Sequence, residues 1–171
     1  MAYRIRKGNM DDIKDIMKMV RKTVAIMKSE DIDQWTDEYP LAADFNKDVE
    51  NGSLYVAVDQ ENKAAGSITI DQSEPGEYKT SPWRKEGPAY LFHRLVVDPD
   101  VRGKGIASLL IKQTEEVAKA NSVYYIRTDT YSLNKKAQSL FKKNGYTKMG
   151  KIQFMGKDKP FYTYDKILEE E

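Results

Sequence analysis

A short basic, glycine-rich segment, residues 102–107, is the part of this sequence best suited to hold an anion. It reads Arg-Gly-Lys-Gly-Ile-Ala and follows an apolar run typical of a strand. If a helix begins here, its first N–H groups have no acceptors within the helix, and the positive end of the helix dipole faces the segment. Such a position suits a pyrophosphate. Gly103 and Gly105 allow close approach of the backbone to that ligand, and Arg102 and Lys104 add positive charge.

His93 is the only histidine in the chain and the first candidate for acid–base chemistry, because histidine ordinarily titrates near neutral pH. On a regular strand it shares a face with Leu95 and Val97, and a bulge would change that alternation. We therefore regard His93 as a candidate catalytic base or water-positioning residue. A structural histidine, hydrogen-bonded inside the sheet, is an equally good interpretation.

The composition excludes several classes of chemistry. The 171 residues include no cysteine, which excludes disulfides, thiolate nucleophiles and cysteine-bound metals, and the single histidine excludes multi-histidine metal sites. We predict no metal site. With 28 basic and 27 acidic residues the net charge is +1, which argues against a general nucleic-acid binder. Charges begin at Arg4, and no window approaches the ~20 apolar residues of a membrane span. We expect no membrane association and a cytoplasmic location.

The elements that would position these residues follow from hydrophobic periodicity. The order βααββ followed by βαβαββ predicts one α/β (α+β) domain over residues 1–171, with mixed strand pairing. Predicted strands cover residues 3–7, 54–58, 64–70, 89–97, 123–129, 146–154 and 161–167. The first predicted helix begins after Asn9. Three further helices are predicted over residues 41–51, 106–121 and 134–144. The helix over 106–121 is expected to bury Ile106, Leu109, Leu110, Val117 and Ala120. The segment 71–87 is predicted to be a long loop of functional importance.

Three segments together resemble the GCN5-related N-acetyltransferases, the GNAT family. Segment 102–107 matches the Q/R-x-x-G-x-G/A signature between a strand and a helix, and segment 94–99 looks like that family's fourth strand and its exit. Segment 134–146 resembles the N-x-x-A-x-x-L-Y-x-x-x-G-F element. The matching residues are Arg102, Gly105, Ala107, Asn134, Ala137, Phe141, Gly145 and Tyr146. The element order fits over nearly the whole chain, and 35–40 also resembles a subgroup of small bacterial acetyltransferases.

The resemblance implies a fold, a cofactor and an activity. The fold is a mixed, mostly antiparallel sheet of about seven strands, flanked by helices and splayed between strands 4 and 5. The cofactor is acetyl-CoA, and the activity is that of an acyl-CoA-dependent N-acetyltransferase (EC 2.3.1 type). By this resemblance the pyrophosphate would contact the N–H groups of Arg102, Gly103, Lys104, Gly105, Ile106 and Ala107. The pantetheine would pair with the backbone of Leu95, Val96 and Val97, an N–H near Leu95 would face the thioester carbonyl, and Asn134, Ala137 and Phe141 would lie against the cofactor.

Phe141 departs from the family pattern. Many members carry tyrosine there, whose hydroxyl can protonate the departing thiolate, whereas phenylalanine cannot. Tyr131 or Tyr146 could serve instead, CoA could leave as the thiolate, or catalysis could be weak. Phe141 is also consistent with simple core packing. Because there is no cysteine for an acyl-enzyme, direct transfer in a ternary complex is the simplest scheme.

The sequence leaves the acceptor open. Trp35 and Tyr39 are candidate walls of an acceptor pocket, and core packing is the expected role of one of them. A polyamine, an aminoglycoside, an amino acid, a peptide N-terminus or a protein lysine is compatible, and ribosomal-protein N-terminal acetylation is a specific case by analogy. A homodimer is compatible as well.

Two other functions remain as alternatives. A dinucleotide site would use Gly103-x-Gly105 with Asp129 as the ribose-binding acid, but Ser108 occupies the third glycine position. The second alternative is a non-catalytic acyl-CoA sensor or interaction module, which Phe141 favours.

Overall fold

A computed structural model describes residues 2–170, and over that range it contains seven strands and four helices. The strands are β1 (Arg4–Lys7), β2 (Leu54–Val58), β3 (Ala64–Asp71), β4 (Tyr90–Val97), β5 (Tyr125–Tyr131), β6 (Thr147–Ile152) and β7 (Phe161–Ile167). The helices are α1 (Ile13–Ser29), α2 (Ala42–Glu50), α3 (Ile106–Ala120) and α4 (Lys135–Lys143). No helix in this range is both long and apolar enough to cross a membrane.

The strands form one mixed sheet in the order β1-β2-β3-β4-β5-β7-β6. The pairs β1–β2, β2–β3, β5–β7 and β6–β7 are antiparallel. The pair β4–β5 is parallel, and its register joins Tyr90 to Ile126 and Leu91 to Arg127. The predicted fold class is confirmed, and the parallel pair matches the expected splay between strands 4 and 5. The single domain of residues 1–171 stays a prediction.

The chain divides into two compact units. The first consists of the chain up to Ile70 together with Arg94–Gln113, and the second of Asp71–His93 together with the chain from Thr114 onward. In the first unit α1 buries an apolar stripe in the core, comprising Ile13, Ile16, Met19, Val20 and Val24. Asn9 caps the turn before α1 by accepting from the Asp11 N–H, as its residue type predicts.

The second unit has an aromatic core. The ring of Phe92 meets those of Phe141 and Tyr146 edge to face, at 5.3 and 5.7 Å between centroids, and Phe141 also meets Tyr164 at 5.4 Å. The predicted loop 71–87 contains one short 3-10 turn, Gly76–Thr80. Tyr78 in this turn is almost wholly buried, so the segment is fixed to the unit.

The predicted inner face of α3 is wrong in its second half. Ala120 is exposed, whereas Ile111, Thr114 and Ala118 are completely buried. The prediction selected apolar residues and so missed a buried threonine. The buried positions Ile111, Thr114 and Ala118 recur every three or four residues, as the helical period requires.

Candidate active site

In the first unit the glycine-rich segment is exposed at the start of α3. Gly103 and Gly105 have φ angles of +81° and +75°, a region that favours glycine. A Cβ built on either would meet no atom within 4 Å. The Leu109 N–H donates to the Gly105 carbonyl oxygen over 3.0 Å, so the backbone hydrogen bonding of α3 starts from Gly105. The segment is thus an open backbone surface with Arg102 and Lys104 exposed on it.

Contacts on both sides of this segment fix its position. Before it, the Asp98 N–H donates to the Ala65 carbonyl oxygen on β3 over 2.8 Å. Lys22 of α1 pairs with Asp98 at 3.5 Å and Asp100 at 2.6 Å. After it, the side chain of Ile106 is buried. The glycine-rich segment is therefore anchored on both sides.

Gly66 on β3 allows β4 and α3 to approach β3 closely. A Cβ at this position would lie 2.8 Å from the Val96 carbonyl oxygen, 3.1 Å from Leu110 and 3.2 Å from Ile106. Real Cβ atoms essentially never lie under 3.0 Å from another atom, so the contact with the Val96 carbonyl oxygen leaves no room for a side chain unless the backbone shifts. Gly66 therefore helps to set where the beginning of α3 lies, and the sequence analysis missed it.

Strand β4 contains a backbone irregularity at Arg94, whose φ is +48°. A residue in this conformation interrupts the alternation of side chains along a strand, as at a bulge. Val96 is buried in the core of the first unit, and Leu95 and Val97 are half-buried. The regular alternation that would place His93 on the face of Leu95 and Val97 does not hold.

Arg94 is held by a buried acid that the sequence analysis did not single out. Its Nε and Nη2 donate to Asp48 at 2.9 and 2.7 Å, and its Nη1 donates to the Tyr39 hydroxyl at 2.9 Å. Asp48 also accepts from the Thr69 hydroxyl at 2.7 Å. Burial lowers the pKa of Arg94, but the bonds to Asp48 and Tyr39 outweigh it and raise the pKa above its ordinary value. Asp48 lies three residues after buried Phe45 on α2, and this helical spacing was the available signal.

The two aromatic candidates differ in their surroundings. Trp35 is a core residue with 8% exposure, whereas Tyr39 is half-buried and uses its hydroxyl to accept from Arg94. A cavity of about 380 Å³ lies beside Trp35, with Val24 and Ile32 among its apolar lining. Three acidic residues, Asp31, Asp33 and Asp37, and the basic Lys28 also line it. An acceptor-binding role for Trp35 and Tyr39 stays a prediction.

In the second unit His93 forms an acid–imidazole pair with Asp71. Its Nε2 lies 2.9 Å from both carboxylate oxygens of Asp71, at the end of β3. Since a carboxylate only accepts hydrogen bonds, Nε2 carries the hydrogen and Nδ1 of a neutral ring carries the lone pair. The His93 side chain is 27% exposed, so the ring is partly accessible.

Asp129 and Tyr78 form a second polar pair in the same unit. The Tyr78 hydroxyl donates to Asp129 Oδ2 over 2.5 Å. Burial raises the pKa of Asp129 to about 6, against the opposite influences of Tyr78 and His93. Tyr78 was not among the predicted site residues; the sequence analysis identified only the loop that carries it.

The three candidates on α4 and before it make contacts within the second unit, and their role in cofactor binding stays a prediction. The Asn134 side chain accepts from the Ala137 N–H at 3.1 Å and so caps α4. Phe141 is 4% exposed within the aromatic core. Of the two alternative acids, Tyr131 is buried, and Tyr146 donates to Glu115 at 3.2 Å. Burial raises the pKa of Tyr146 well above its ordinary value.

Comparison with known proteins identifies the family. A family model for the GNAT acetyltransferases matches residues 20–146, and the chain belongs to this family. A solved structure from Staphylococcus aureus MU50, described as an acetyltransferase, is 34% identical with a TM-score of 0.74, covering 96% of this chain and 99% of that one. Acetyl transfer is therefore the general activity of the protein described here.

Two further solved structures share the fold. A GNAT-family acetyltransferase of Streptococcus agalactiae has a TM-score of 0.85 at 24% identity, over 98% of this chain and 96% of that one. Ard1 from Thermoplasma volcanium has a TM-score of 0.76 at 17% identity, over 99% and 100%. A search of curated proteins finds no match.

Proposed function

We propose that this protein transfers the acetyl group of acetyl-CoA to a primary amine of a small molecule or peptide, directly in a ternary complex. The observation that carries the proposal is the open backbone surface at Gly103 and Gly105 in a member of an acetyltransferase family. A side chain at either glycine would occupy the open space beside this backbone. The site therefore suits the pyrophosphate of coenzyme A.

The residues that would hold acetyl-CoA are those implied by the family resemblance. Backbone N–H groups of 102–107 would bind the pyrophosphate, and the backbone of 95–97 would pair with the pantetheine. Asn134, Ala137 and Phe141 would lie beside it. When bound, acetyl-CoA supplies an electrophilic thioester carbonyl.

His93 is the proposed base. A free alkylamine has a pKa near ~10.4 and attacks only after losing a proton. With Nε2 held by Asp71, the lone pair on Nδ1 is directed away from that carboxylate and can accept the amine proton. Asp71 then stabilises the imidazolium. An N–H near Leu95 would stabilise the developing oxyanion. Because Phe141 has no hydroxyl and Tyr146 is committed to Glu115, CoA departs in this scheme as the thiolate.

We further propose a cytoplasmic enzyme that acts without nucleic acid or membrane, and a homodimer is compatible with this function. Its acceptor is open among the amine classes named above. The likeness between this protein and Ard1 concerns the fold only. It therefore does not favour a peptide N-terminus over the other classes of amine acceptor.

The test has a binding arm and a turnover arm. Calorimetry should show binding of acetyl-CoA and none of NAD. Incubation with acetyl-CoA and spermidine, kanamycin, free amino acids or a short lysine-containing peptide should release free CoA with at least one amine. His93→Ala should keep acetyl-CoA affinity and slow transfer, and unchanged rates would remove His93 from the chemistry. Tight binding without CoA release would favour the sensor that Phe141 suggests.

A further inference from the structure

Two titratable side chains of the second unit lie at neighbouring positions just beyond the paired part of β4 and β5. The parallel register joins Leu91 to Arg127. One residue further along, the Thr128 hydroxyl donates to the Phe92 carbonyl oxygen over 2.9 Å, so the strands still lie side by side there. His93 and Asp129 follow directly on the two strands, and the electrostatic influence of His93 on Asp129 places the two groups near each other. Side chains two residues apart on a strand share a face. The histidine and the carboxylate therefore lie together on one face of the sheet.

In each of these two side chains, one polar atom forms a hydrogen bond within residues 2–170 and the other forms none. Asp129 Oδ2 accepts from Tyr78, and His93 Nε2 is held by Asp71. Within residues 2–170, neither Asp129 Oδ1 nor His93 Nδ1 has a hydrogen-bond partner. Both side chains are only partly buried. The face thus presents two oriented acceptor atoms.

Packing and hydrogen bonds hold Tyr78 in place, so its hydroxyl can orient the Asp129 carboxylate. Its side chain is 1% exposed. Its carbonyl oxygen accepts from the Trp83 indole N–H over 2.7 Å, and the two rings lie 5.1 Å apart. Trp83 in turn packs over the Arg127 guanidinium at 4.7 Å. The hydroxyl that meets Asp129 therefore belongs to a rigid part of the segment 71–87.

The surroundings make Asp129 more basic than an ordinary aspartate. Burial raises its pKa to about 6, while the Tyr78 hydroxyl and His93 act in the opposite direction. Glu74 and Arg127 are the other charged groups around Tyr78, and Asp71 lies on the far side of His93. At neutral pH the carboxyl is ionised, and a carboxylate of this basicity is an effective proton acceptor.

We propose that Asp129 acts beside His93 as a second proton acceptor for the substrate amine, and that Tyr78 is its positioning residue. This inference rests on the proposed acetyl transfer. An ammonium group must lose two protons to become an amide nitrogen. One N–H bond breaks, its proton goes to His93 Nδ1, and the freed lone pair forms the bond to the thioester carbon. The second proton goes to Asp129 Oδ1. The C–S bond breaks with its electron pair on sulfur, one proton ends on the thiolate and the other passes to solvent.

The first test measures the carboxyl directly. In protein labelled with ¹³C at aspartate carboxyl carbons, the Asp129→Asn variant assigns the signal by its loss. We expect the signal to titrate near pH 6, and at higher pH in Tyr78→Phe, because the lost hydrogen bond favoured the ionised form. Tyr125, on the same strand as Asp129, donates its hydroxyl to Asp165 of β7 over 2.5 Å, so Tyr125→Phe is the matched control. It should leave the Asp129 signal unmoved.

The second test follows the pH dependence of kcat/KM for the panel amine that releases CoA fastest. Asp129→Asn should lower kcat at least 10²-fold. Tyr78→Phe should move the acid limb to higher pH, and Tyr125→Phe should not. The inference is overturned if the acid limb of the pH profile does not move in Tyr78→Phe. It is also overturned if kcat of Asp129→Asn lies within a few fold of wild type. Either result leaves acetyl transfer itself intact. Absence of CoA release by the wild-type protein with every amine overturns both.

Discussion

Asp48 on α2 holds the Arg94 guanidinium through two hydrogen bonds, at 2.9 and 2.7 Å, and Arg94 is the residue at which β4 adopts a φ of +48°. A non-glycine residue in that conformation costs on the order of 1–3 kcal/mol and persists only when its surroundings fix it. The buried carboxylate supplies this constraint. A helix residue thereby determines where the strand bends, just before the Leu95–Val97 backbone proposed to pair with the pantetheine.

Asp48→Asn is expected to destabilise the protein by about 3 kcal/mol, because it leaves the buried Arg94 charge without its counter-ion. Urea unfolding at pH 7 measures this loss. Asp100→Asn is the control, since Asp100 pairs with Lys22 on the surface, where ion pairs contribute little. Equal midpoints for the two variants would show that the Asp48–Arg94 pair does not stabilise the bend.

Gly66→Ala is expected to destabilise the protein by about 1–3 kcal/mol, the usual range for overpacking. Its Cβ would lie 2.8 Å from the Val96 carbonyl oxygen, which is backbone and cannot rotate away. Gly76→Ala is the matched control, because a Cβ there meets no atom within 4 Å. Thermal unfolding should separate the two variants. A Gly66→Ala midpoint equal to that of Gly76→Ala would mean that β3 and α3 are not closely packed.

Local pattern was sufficient for most of the fold. The predicted strands 54–58 and 161–167 coincide with β2 and β7, because each is a short run bounded by polar turns. The motif at 102–107 predicted an exposed glycine-rich turn at the start of α3, since this feature lies in consecutive residues. In the second half of α3 the prediction chose the exposed Ala120 in place of the buried Ala118, because residue type alone does not separate a buried alanine from an exposed one, and the same holds for Thr114.

The partners of the candidate site residues could not be predicted in the same way. Asp48 meets Arg94 across 46 residues of sequence, and Tyr78 meets Asp129 across 51. Such pairs depend on tertiary packing, and no local period encodes them. The bend at Arg94 likewise has no glycine or proline to signal it. His93 was recognised from its residue type alone, and its partner Asp71 was not.

Gly105→Val should abolish measurable acetyl-CoA binding while the protein stays folded. The side chain would occupy the open space beside the amides of the turn. Because φ is +75° there, valine also strains the backbone, so a control must carry the same strain. Gly156→Val does so, with φ +66° and an equally open position. Calorimetric titration with acetyl-CoA should show binding by Gly156→Val only, and retained affinity in Gly105→Val would mean that the turn is not the anion site.

Asp129→Asn should stabilise the protein at neutral pH, even though it is expected to lower activity. The Asp129 pKa of about 6 lies above the ordinary value of 3.8, so between these pH values the folded state binds more protons than the unfolded state. Stability from this group is complete below pH 4 and is lost as the pH rises through 6, by about 3 kcal/mol. The variant should therefore unfold at higher urea than wild type at pH 7, and at the same urea near pH 4.

Asp165→Asn provides the contrasting control on the neighbouring strand β7. Asp165 is also buried and also accepts from a tyrosine hydroxyl, that of Tyr125, but it is paired with Arg84 at 2.8 Å. Removing this carboxylate leaves a guanidinium without its partner, so the same substitution should lower stability at pH 7. Opposite signs for the two variants would show that Asp129 is a carboxylate kept at a cost in stability, as expected of a group retained for proton transfer. If Asp129→Asn is destabilising at pH 7, its carboxylate is a structural partner of Tyr78 instead.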